Sequence, residues 1–148
     1  MPEPTHAWLC GQVVDHAPDA IIFADRAGVI RLWNSGAEAM FGYRSEEALG
    51  QTLDLIIPER LRARHWEGYH HAMATGVTRY GREVLAVPGV RKDGARLSLE
   101  FTIVLVRDES GSILGPAAII RDVTARWERD KEIRERLAAL EAKAQTPR

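Results

Sequence analysis

The stretch from Gly28 to Tyr43, GVIRLWNSGAEAMFGY, constrains the fold more than any other part of the chain. Val29 to Trp33 has the pattern of a strand. Asn34 then offers a side-chain oxygen to free backbone donors, as helix caps do. A short helix follows with Ala37, Met40 and Phe41 on one face, and Gly42 is placed to stop it. A strand that runs through a cap into a short, abruptly ended helix is a scaffold unit. None of its residues is arranged for catalysis.

At 148 residues the chain suits one domain with short appendages, and its 45% hydrophobic content is ordinary for a globular core. The single cysteine, Cys10, has no partner for an internal disulfide, so nothing points to an oxidising compartment. A net charge of −1 argues against non-specific binding to nucleic acid or to an anionic membrane. No apolar run approaches the roughly 18–20 residues of a membrane span, and the N-terminus lacks a basic-then-apolar leader pattern. The expectation is a cytoplasmic domain without nucleic-acid or membrane partners.

Residues 1–16 are expected to form a tail and a lead-in helix with Trp8, Leu9, Val13 and Val14 as its apolar stripe. Ala17-Pro18-Asp19 interrupts it. Ala20 to Ala24 is a nearly all-apolar strand, and Asp25-Arg26-Ala27-Gly28 is the turn into the next. Ser45 to Gly50 forms one or two helical turns capped by Ser45 and stopped by Gly50. Pro58 suits the first position of a longer helix that ends at Gly76. Glu83 to Val87 is strand-like and broken by Pro88, which favours a bulge or an edge position. Arg91 to Gly94 is a turn. Leu97, Leu99, Phe101, Ile103 and Leu105 alternate with their neighbours as in a half-buried antiparallel strand. Asp108 to Gly111 turns the chain into a last strand, Ile113 to Val123, interrupted at Gly115-Pro116. Residues 125–148 are rich in strong helix formers, with Ile133, Leu137 and Leu140 as a stripe. This helix either folds back on its own domain or serves dimerisation and signal output. The element order predicts an α+β fold: a five-stranded antiparallel sheet with helices on one face and a flanking helix at each end.

The segments Ala20–Asp25, Trp33–Tyr43, Ala48–Gly50, Arg91–Gly94 and Ile119–Thr124 resemble, in this order, those of PAS domains. The resemblance covers roughly 13–124, with the domain itself at 17–124. It implies a sensory or interaction module enclosing one ligand pocket, and it does not specify the ligand. In flavin-binding light sensors of this family a reactive cysteine follows the first short helices. Here the only cysteine precedes the core, so flavin–cysteine photochemistry is not expected.

The helix from Pro58 to Gly76 resembles that of FixL-type haem-binding oxygen sensors, in which a histidine in a Pro-…-Arg-x-Arg-His segment binds the iron. His65 stands at that place, at a matching distance from the Lys92-Asp93-Gly94 turn. A neutral imidazole is a good axial ligand and leaves the sixth iron position for gas. The same resemblance implies that Arg82, in Gly81-Arg82-Glu83-Val84, responds to bound gas. That placement needs a shortened loop before it; without gaps Leu85 takes the position. Phe101 and Ile103 fall where the apolar distal wall lies, and His71 and Arg79 where propionates would find partners. Tyr69 shares the face of His65 at helical spacing, with Ala72 beyond it.

The residues alone leave alternatives open. A histidine at position 65 equally suits a solvent-facing or capping role, and Tyr69 and Met73 suit packing. Trp66 fits either a pocket mouth or a surface cover. His70 and His71 are adjacent and cannot both face one metal from a helix. No phosphate loop, nucleophile elbow or paired-cysteine motif supports an enzyme. The expectation is a non-enzymatic, homodimeric sensory domain that binds haem b through His65. It would detect oxygen, CO, NO or a redox state and relay the change through the terminal helix. The alternative is a non-haem module that works by dimerisation or protein contacts, with another small ligand or an empty pocket.

Overall fold

Asn34 organises the first half of the molecule. In the computed structural model, which describes residues 2–78 and 85–145, this amide is only 4% exposed. Its Oδ1 accepts the N–H of Ala37 at 2.9 Å and that of Ile21 at 2.8 Å. Its Nδ2 donates to the carbonyls of Val14 and Asp19 at 2.8 and 3.0 Å. One side chain therefore joins α1 (His6–His16), β1 (Ala20–Ala24), β2 (Ile30–Trp33) and α2 (Ser35–Phe41). Gly42, with φ +82°, ends α2 in the left-handed region that glycine enters without a Cβ penalty.

The remaining elements are α3 (Ser45–Ala48), 3₁₀ turns at Leu53–Ile56 and Glu59–Leu61, α4 (Arg62–Thr75), β3 (Leu85–Val90), β4 (Arg96–Arg107), β5 (Ile113–Asp122) and α5 (Thr124–Gln145). The strands form one antiparallel sheet in the order β2-β1-β5-β4-β3. The alternation along β4 sets its faces: Leu97 and Leu99 are buried and Phe101, Ile103 and Leu105 half-buried on the side that the helices cover. The core has two clusters. The larger gathers Ile22, Ile30, Trp33, Phe41, Leu99 and Ile120; the smaller gathers Tyr69, Met73 and Ile113. The α+β architecture is as expected from the element order.

Several local expectations are corrected. Ser45 is the first helical residue of α3, not its cap; Arg44 precedes it, and its N–H is accepted by Glu47 Oε2 at 2.9 Å. The carboxylate three residues on satisfies the N–H of the capping residue, as in the reciprocal half of a capping box. The α-helix after Pro58 starts only at Arg62, because Pro58 is extended (ψ 137°) and leads first into the 3₁₀ turn. Pro88 does not break β3, which continues to Val90 with Pro88 opposite Ser98; the edge position expected from it holds, since among the described residues β3 is bonded only to β4. Gly115-Pro116 does not interrupt β5 either. The strand runs through, and the register with β4 shifts beyond Val106. Gly115 is needed there, since a Cβ would lie 1.9 Å from the Ala24 carbonyl oxygen. In α1 the apolar residues Trp8, Leu9 and Val13 are exposed. The other edge of the sheet is covered by the loop after α3: Ile30 N–H donates to Gln51 O at 2.8 Å and Gly50 N–H to Ile30 O at 3.0 Å.

Candidate functional site

The inward stripe of α4 consists of His65, Trp66, Tyr69, Ala72 and Met73, spaced three and four residues apart. Only Tyr69 and Met73 are buried, so contacts other than a broad apolar face must hold this helix. Trp66 Nε1 donates to Asp54 Oδ1 at 2.7 Å. Tyr69 Oη donates to the carbonyl of Asp25, and burial pushes its hydroxyl pKa far up, keeping it protonated as a donor. Arg26 reaches the carbonyls of Met73 and Ile113 at 3.2 and 3.0 Å. Gly28, with φ +83°, lies beneath the Trp66 indole; a Cβ there would come within 2.1 Å of the ring. The turn between β1 and β2 is thus a cradle for α4.

His65 sits one helical turn before Tyr69, with ring centroids 5.7 Å apart, and 4.8 Å from the Trp66 ring. It is half-buried, and its Nδ1 is buried without a hydrogen-bond partner. Burial lowers its pKa below 6.5, more than the nearby Asp54 carboxylate raises it, so the ring favours the neutral form. An uncharged imidazole nitrogen with no protein partner can accept a hydrogen bond or ligate a metal.

The other residues singled out from the sequence are dispersed. Phe101 and Ile103 are half-buried on the helix-facing side of β4; Phe101 packs against the larger cluster, while Leu105 joins the smaller one. Tyr69 is in the smaller cluster with its hydroxyl engaged. His71 is exposed, away from the His65–Tyr69 stripe, and its carbonyl accepts the Thr75 hydroxyl at 2.8 Å. Arg79 and Arg82 lie outside the described residues. Asp25, Arg26, Gly28 and Asp54 were missed as determinants of the site. The first three had as their sequence signal the turn pattern at 25–28, which carries no hint of a helix some forty residues on; Asp54 had none. Among the described residues, no group of three or more His, Cys, Asp or Glu could hold a metal ion, and no helix is long and apolar enough to cross a membrane.

The family profile described as the PAS fold matches residues 14–128. The chain belongs to the PAS family. Its PAS domain resembles the sensor protein FixL of Bradyrhizobium diazoefficiens, 30% identical over 121 residues that make up 80% of this chain and 23% of that protein. It also resembles the oxygen sensor protein DosP of Escherichia coli, 27% identical over 133 residues, 90% of this chain and 15% of that protein. The chain therefore spans less than a quarter of either relative. Among solved structures, a PAS domain from Colwellia psychrerythraea superposes with a TM-score of 0.69 at 26% identity, covering 79% of this chain and 96% of the other. The chain is thus a PAS sensory domain of the kind found in signalling proteins.

Proposed function

We propose that this PAS domain is a non-catalytic sensory module that binds haem b through His65, detects a diatomic gas or a redox state, and relays the change through α5 in a homodimer. The observation that carries this reading is the His65 imidazole: inward-facing, favouring the neutral form, with a buried nitrogen that no protein group satisfies. The resemblance to FixL and to an oxygen sensor protein supports the same reading.

The chemistry of His65 supports such a group. His65 would hold it, and Phe101 and Ile103, half-buried on the helix-facing side of β4, would supply apolar surface. Bound there, haem would supply an iron centre able to take a neutral diatomic ligand. The chain's own part is to present an uncharged imidazole, exclude water with apolar side chains, and fix the helix. Tyr69 and Trp66 do the last of these through Asp25 and Asp54. His71, exposed on α4, would meet a propionate only at the outer rim.

The test is spectroscopic. The full chain reconstituted with haem b should show a Soret band, and His65→Ala should lose or shift it. Absence of the band, or a band unchanged in the variant, overturns the assignment.

A second reading is favoured by a separate observation: Ile133, Leu137 and Leu140 on α5 are all more than half exposed. A module that binds no haem and works by pairing these helices would be a colourless dimer in light scattering.

A further inference from the structure

Arg26 makes the longest-range connection of the cradle. It lies in the tight turn closed by the Gly28 N–H donating to Asp25 O at 2.9 Å. From there its two terminal nitrogens reach separate elements, Nη2 to Met73 O in the last turn of α4 and Nη1 to Ile113 O at the start of β5. The Met73 carbonyl lacks its ordinary partner. The Met73 oxygen would normally accept from Val77, but the Val77 N–H donates instead to Thr75 Oγ1 at 3.2 Å. Ile113 lies where the β4–β5 register shifts, a place where ladder bonds are lost. A guanidinium fork satisfies both at once and brings positive charge to the negative end of the helix. The side chains of Met73 and Ile113 pack in the same small cluster.

We infer that Arg26 is a positioning residue that joins the end of α4 to the start of β5, so that a shift of the helix is carried into the strand. The far end of β5 leads directly into α5. Thr124 Oγ1 accepts the Ser98 N–H at 2.9 Å, and the Thr124 N–H donates to Asp122 Oδ1 at 2.9 Å. The relay role rests on α4 being the ligand-bearing helix; the bridging role does not.

Native-state hydrogen exchange on the full chain, without haem, tests the bridge independently of the haem reading. Arg26→Met keeps the stem and removes the donors; amides of the last turn of α4 should exchange about tenfold faster or more. Arg62→Met, which loses the bond from Arg62 Nε to Ile57 O, loosens α4 at its first residue, far from Arg26. In the parent it should speed exchange at Leu114 and Gly115 as well as in α4. In the Arg26→Met background the α4 effect should persist and the β5 effect vanish, a non-additivity that separates transmission from plain destabilisation. Arg26→Lys, with the charge but no fork, should behave like Arg26→Met. Additive effects, an α4 unaffected by Arg26→Met, or full rescue by lysine would each overturn the inference.

Discussion

Asn34 spends its amide on both sides at once, accepting from a strand and a helix and donating to two carbonyls across a gap of 15 to 20 residues. Removing it leaves those groups buried and unpaired. Asn34→Ala should therefore cost about 2–4 kcal/mol, more than an isolated cap. Urea unfolding measures this, and a loss below about 1 kcal/mol would show that water replaces the side chain. The cap itself was legible, because Asn followed by a helical apolar pattern is a local signal. The link to Val14 and Asp19 was not, since it depends on where the chain returns. His65 divides the same way. Its residue type and neighbours marked it as a candidate ligand, whereas its neutral, unpartnered state comes from the burial and from Trp66 and Tyr69 beside it. Glycine at 28 was legible as a turn, but not as the floor beneath an indole.

At the scale of elements, α5 has no buried residue. Ile133, Leu137 and Leu140 follow each other at four- and three-residue steps, the spacing of a helix-pairing seam. If two copies pair here, Leu137→Glu should weaken the dimer by about tenfold or more, the effect of losing one buried leucine contact. The unfolding midpoint of the domain should hardly move. Sedimentation or light scattering reads the first and a thermal melt the second; an unchanged dimer would place the contact elsewhere. Elements were legible where periodicity is strong: β1 falls at Ala20–Ala24 and β4 carries its alternation from Leu97 to Leu105. Proline was read less well: Pro58 was misjudged, and at Pro88 the edge position was foreseen but the unbroken strand was not. Whether Pro58 starts an α-helix or precedes a 3₁₀ turn, and whether Pro88 breaks a strand or sits harmlessly at its edge, depends on neighbours in space.

For the whole molecule, the two core clusters share strands β4 and β5, so they should unfold together. Phe41→Ala, at a fully buried site in the larger cluster, should cost about 3–5 kcal/mol, and Met73→Ala, in the smaller one, nearer about 2 kcal/mol. Both should unfold in a single transition with the parent's denaturant slope; a biphasic curve for Met73→Ala would mean that α4 melts separately. The sheet also has two ends to finish. At β2 the loop after α3 takes up the backbone of Ile30. At β3 the arrangement is different. Ser98 turns both its N–H and its carbonyl toward residues 123 and 124, so the position opposite it, Pro88, faces outward rather than toward β4. The proline that would spoil an inner ladder thus removes a donor only from the outer rim, midway between Ala86 and Val90. A foreign strand sliding alongside would meet a pyrrolidine ring where it needs a hydrogen bond. The domain can be crowded among copies of itself, as signalling assemblies are, without its sheets growing into one another.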